Sequence, residues 1–173
     1  AYIEADENWT ELWPITGDDE AAGLGINDIA SLNPDVIGVS LTATTTSGVV
    51  WMNATKTPTV LVPVGSNECI PYSISDPVGD GYTIIVGSYF NGTKYTYVYW
   101  WMDDSNPWSN GAELTGAQSG DPDAVSVNNE CEIATHRRLY PDYDCDGSFD
   151  YELLGQMVAL PEDIKTNNWK VLA

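Results

Sequence analysis

Residues 82–102 read YTIIVGSYFNGTKYTYVYWWM. Two runs, Tyr82–Phe90 and Lys94–Met102, flank the dipeptide Asn91-Gly92. Both are crowded with β-branched and aromatic side chains, which fit the pleated surface of a strand. Asn-Gly supplies the positive φ that a tight hairpin turn needs. The second run alternates without a break. Tyr95, Tyr97, Tyr99 and Trp101 share one face, while Thr96, Val98, Trp100 and Met102 share the other.

The same pattern recurs on both sides of this hairpin. Strands are predicted upstream at Val36–Thr46, Val49–Met52 and Thr59–Val64. Downstream they are predicted at Ala124–Val127, Cys131–Thr135 and, briefly, Trp169–Leu172. Helix signals are few. Single turns are predicted at Asp18–Ala22 and at Asn27–Leu32, the second ending before Pro34. Tyr151–Leu160 reads as helix or strand, with Gly155 weighing against a helix. Gly116–Asp123 reads as a surface loop. Many short strands separated by Gly, Pro, Asn and Asp predict an all-β fold, a β-sandwich or jelly roll with one or two short helices. One domain is expected over residues 1–173, with Tyr2–Ala5 and Trp169–Leu172 suited to exchange as strands with a neighbour.

Charge narrows the partners. Twenty-six acids face six bases, for a formal net charge of -20. Each phosphate contact needs a Lys or Arg, so nucleic acid and anionic membrane are poor partners. The hydrophobic share of 43% is ample for a core. No apolar run reaches the roughly 20 residues of a membrane helix, so no membrane insertion is expected. Three explanations of the acidity stand side by side: binding of divalent cations, solubility outside the cell, and growth in high salt. The chain opens Ala1-Tyr2-Ile3 with no Met, which fits a processed secreted protein and equally a trimmed one.

The sharpest motif is Asp142-Tyr-Asp144-Cys-Asp146-Gly147-Ser148-Phe-Asp150. Alternate carboxylates on a tight loop converge on one hard cation, and Gly147 permits the sharp turn. Ser148 would offer its backbone carbonyl, and Asp150 would bind directly or through water. Over these nine residues the chain resembles the calcium loops of EF-hands, dockerins and thrombospondin type 3 repeats. The resemblance implies Asp142, Asp144, Asp146 and Asp150 as ligands of Ca2+. It departs from the EF-hand and dockerin pattern at the twelfth position, where Leu153 stands in place of an acid. The thrombospondin-like form fits better and implies a structural ion that pins the C-terminal segment.

Other residues carry further expectations. Asn8-Trp9-Thr10, Asn53-Ala54-Thr55 and Asn91-Gly92-Thr93 are N-glycosylation sequons, which must lie on the surface if used. Thr42–Ser47 offers hydroxyls for O-linked sugar, although a plain β-branched strand explains it as well. The cysteines are Cys69, Cys131 and Cys145; an odd count allows one disulfide with a free thiol, or an intermolecular bond. Cys131–Cys145 closes the shortest loop. The row Tyr95, Tyr97, Tyr99 and Trp101 reads as core, as a subunit interface, or as a platform for sugar rings.

Nothing here reads as an active site. His136 is the only histidine and adjoins Arg137 and Arg138. No G-x-S-x-G surrounds a serine, and no cysteine has a catalytic context, so no catalytic residue is named and no enzyme is expected. In general plan the chain is similar to self-assembling extracellular fibre subunits. The leading expectation is therefore a secreted structural subunit of a filament, appendage or surface layer, stabilised by calcium, glycosylated where the sequons are used, and self-associating into a homopolymer. The alternative is a calcium-stabilised carbohydrate-binding module or adhesin that takes glycans on the aromatic row.

Overall fold

The computed structural model describes residues 2–5, 8–27, 34–62, 68–77, 82–103, 108–114, 122–129, 132–137, 154–159 and 170–171. These form an all-β protein. In chain order the strands are β1 (Tyr2–Ala5), β2 (Asn8–Glu11), β3 (Glu20–Ile26), β4 (Val36–Leu41), β5 (Thr46–Trp51), β6 (Thr59–Val60) and β7 (Cys69–Ile74). There follow β8 (Thr83–Phe90), β9 (Tyr95–Met102), β10 (Ala112–Glu113), β11 (Pro122–Val127), β12 (Glu132–Arg137), β13 (Leu154–Ala159) and β14 (Lys170–Val171). A 3-10 turn at Met52–Ala54 is the one helical element among the described residues.

Three four-stranded antiparallel sheets are stacked, in the orders β3-β4-β5-β6, β7-β8-β9-β10 and β11-β12-β13-β14, and β1 pairs with β2 as a separate hairpin. The β8–β9 hairpin makes the middle sheet central, because alternation gives it two apolar faces. Ile84, Val86, Tyr97 and Tyr99 pack with Leu114, Val125, Val127 and Ile133, against β11 and β12. Ile85, Tyr89, Val98 and Trp100 point the other way, onto Ile37, Val50, Leu61, Cys69 and Ile74. A third cluster, Leu12, Val36, Val49 and Trp51, closes the far side of the β3–β6 sheet. Such burial stabilises by roughly 25 cal/mol per Å² of apolar surface removed from water.

A register slip in β7 makes the central sheet fit both neighbours. Pro71 faces Gly87 but Ser73 faces Val86, leaving Tyr72 as the extra residue. A bulge re-aims every side chain after it. Ile74 thereby reaches the core, while Ser73 turns to β11, where its Oγ accepts from the Val127 N–H at 3.2 Å.

Several expectations need correction. Asp18–Ala22 is not helical: a turn carries Gly17 at φ 99°, and the chain enters β3 at Glu20 opposite Leu41. The Asn27–Leu32 turn lies beyond Asn27 outside the described residues. Val36–Thr46 is not one strand. The Thr42 hydroxyl accepts from the N–H groups of Thr44 (3.2 Å) and Thr45 (3.0 Å), which folds the threonine run into the β4–β5 turn. Within Thr59–Val64, residues 59–62 are described: Thr59 and Val60 pair with β5, Leu61 N–H still donates to Gly48 O at 2.9 Å, and Val62 O accepts from Gly111 N–H at 2.7 Å beside the central sheet. Pro122 and Asp123, read as loop, belong to β11. Tyr151–Leu160 resolves to strand over Leu154–Ala159. The two segments suited to exchange form strands, the second in part: Tyr2–Ala5 pairs with Asn8–Glu11, and Lys170–Val171 pairs with β13, which leaves exchange with a neighbour a separate question.

Candidate functional sites

The aromatic row of β9 is core. Tyr97 and Tyr99 are 3% and 2% exposed, so no sugar ring can stack on them. The row ends are also engaged. Tyr95 packs against Phe90 at 5.3 Å between ring centroids, and its hydroxyl donates to Glu68 Oε1 at 2.7 Å. Trp101 meets Tyr82 edge to face at 5.8 Å. The sugar platform is thus corrected: alternation identified the face, but a sheet covered on both sides buries either face.

The three sequons fall in different settings. Asn8 begins β2. Asn53 is exposed and holds a left-handed backbone, φ 51°. Its N–H donates to Asp35 Oδ1 at 2.7 Å. Asn91 is exposed at the β8–β9 tip. There the turn sits one residue later than expected. Asn91 and Lys94 close it through Asn91 N–H to Lys94 O at 3.0 Å, and Gly92 takes φ 91°. The Asn91 side chain caps the turn, Oδ1 accepting from the N–H groups of Thr93 and Lys94, each at 3.1 Å.

Asp142, Asp144, Asp146, Ser148 and Asp150 lie outside the described residues, as do Cys131, Cys145 and Arg138. His136 and Arg137 sit on β12, paired with Gly155 and Leu154 of β13.

Cys69 is a free, buried thiol. Gly48 N–H donates to its Sγ at 3.1 Å, and Sγ faces Leu61 O at 3.6 Å. Burial pushes its pKa up to about 11, against the opposing Gly48 N–H. The reactive thiolate is therefore scarce near neutral pH. Peptide mapping after alkylation of the native protein should find Cys69 unmodified, with full labelling once the chain is denatured. Rapid native labelling would contradict this environment.

Two buried polar groups escaped the sequence reading. Asp35 is 3% exposed, and its N–H donates to Asn27 Oδ1 at 2.7 Å. Burial raises its pKa, opposed by the Asn53 N–H. The neutral acid is the better tolerated form, so the contribution of Asp35 to stability is lost as pH rises through that raised value. Tyr89 donates its hydroxyl to Glu113, and burial followed by that carboxylate raises its pKa. These groups are 8 to 24 residues apart in sequence, and no local motif marks them. Each fixes one segment to another, which is a structural use of polar chemistry.

No protein-family model and no curated protein matches this chain.

Proposed function

We propose that this protein is a structural subunit of an extracellular filament, appendage or surface layer, stabilised by calcium at Asp142–Asp150. The observation that carries the reading is the stack of three sheets, the middle one of which has its aromatic row enclosed. Aromatic side chains of β9 hold the layers together and are not presented for recognition. That removes the motive for a glycan-binding module on β9.

Edge geometry narrows how copies would meet. In each stacked sheet one edge strand carries a register slip: β3 between Gly23 and Gly25, β7 between Pro71 and Ser73, β11 between Pro122 and Ala124. The opposite edges, β6, β10 and β14, are two residues long. Bulged and short edges resist strand addition. The β1–β2 ladder is regular over four residue pairs. A lone two-stranded hairpin is marginal in water, so β1–β2 is the segment that gains most from pairing with another copy.

Charge sets the conditions. Copies at -20 repel one another unless ions screen or neutralise their carboxylates. Sedimentation velocity should show large species with calcium, loss of them with chelator, and loss of them on deleting residues 2–11. Chelation should also lower the melting temperature, and neutralising Asp144 and Asp146 should abolish that shift. An identical melt with and without chelator would sink the calcium part of the reading.

A further inference from the structure

The sequence contains two Asn-Gly dipeptides, Asn91-Gly92 and Asn110-Gly111, and both asparagines are exposed. The geometry points to Asn91 as a site of spontaneous succinimide formation and to Asn110 as a protected copy of the same dipeptide. In this chemistry the backbone nitrogen of the glycine loses its proton to water or hydroxide and attacks the asparagine Cγ. The N–Cγ bond forms, the Cγ–Nδ2 bond breaks, and Nδ2 leaves as ammonia. Water then opens the ring at Cγ to give aspartate, or at the backbone carbonyl carbon to give isoaspartate.

Three features separate the sites. The first is the nucleophile. Among the described residues no acceptor faces the Gly92 N–H, whereas the Gly111 N–H is held by Val62 O at 2.7 Å. The second is room. Around Gly92 nothing lies within 4 Å of where a Cβ would stand, while at Gly111 the same point is 2.7 Å from Trp100 Nε1 and 2.8 Å from Val98 Cγ2. The third is stabilisation of developing charge. Attack on Cγ places negative charge on Oδ1, and the Asn91 Oδ1 already accepts two backbone N–H groups, from Thr93 and Lys94, at 3.1 Å each. Donors fixed where charge develops lower the barrier, as in an oxyanion hole. For Asn110 to react, the Gly111 bond must first open beside the buried Trp100.

The products matter to the hairpin. Aspartate at position 91 keeps both N–H contacts and adds a charge. Isoaspartate lengthens the main chain by one carbon at the Phe90–Tyr95 closing pair. A sugar on Asn91 Nδ2 would block the reaction by removing ammonia as the leaving group. Occupancy of this sequon and ageing of the hairpin are thus mutually exclusive.

The test uses the full chain from a host without N-glycosylation, held at mildly alkaline pH, with peptide mapping that separates aspartate from isoaspartate. An unmade buried hydrogen bond suppresses the reactive geometry by about tenfold or more, so native Asn91 should convert at least about tenfold faster than native Asn110. In denaturant the two rates should converge, and Asn91→Gln should remove the conversion at position 91, because a six-membered ring closes more slowly. Equal native rates, faster conversion at Asn110, or a native Asn91 that stays intact while the denatured one converts would each overturn the assignment.

Discussion

Trp100→Ala should lower stability by about 3–5 kcal/mol, the range for removing a fully buried large aromatic. Trp100 is completely buried at the contact between the central sheet and β4–β5. Its indole N–H also donates to Val62 O at 3.2 Å, which ties down the chain leaving β6. Deletion therefore leaves a cavity and loosens a connection at once. Trp13 is the internal control. It is half exposed, with Lys56 Nζ 5.1 Å from its ring, a contact of about 0.5–1 kcal/mol at such a site. Thermal melts of the two variants should differ widely. Equal, small losses would show that the central sheet is not buried on the face that carries Trp100.

The second large effect is expected at Gly48. A Cβ there would stand 2.5 Å from Cys69 Sγ and 3.2 Å from Pro71 Cδ. Gly48→Ala should cost about 1–3 kcal/mol, as overpacking of a tight core does. The clash has a named partner, so Cys69→Ala in the same chain should recover part of the loss. Contacting residues commonly couple by about 0.5–3 kcal/mol in a double-mutant cycle. Strictly additive losses would mean that Gly48 and Cys69 do not touch, and that β5 and β7 do not cross here.

Much of the fold was legible because alternation is a strong local signal. The β8–β9 hairpin forms over nearly the predicted residues, and its two faces divide as the side-chain period dictates. What covers each face was not legible, since that depends on strands far away in sequence. β3 was missed for a local reason. Its sequence, EAAGLGI, is poor in β-branched and aromatic residues, and its bulge breaks the period. The Thr42–Thr45 turn was missed because threonine both favours strands and captures its own backbone. The row Tyr95–Trp101 shows the limit at the level of function. A strand of aromatics reads alike as a platform or as core, and only a second covering sheet separates the two. The cluster of Asp35, Asn27 and Asn53 left no trace in spacing, because its members meet only after β4 and β5 are paired. The acidic loop is the reverse case, a motif read wholly from the spacing of its carboxylates.

Electron microscopy of negatively stained, purified protein tests the structural role most directly. With calcium present, regular filaments or sheets are expected, dispersing when a chelator is added. Uniform single particles under calcium-replete conditions, across low and high ionic strength, would contradict a subunit that assembles with its own copies.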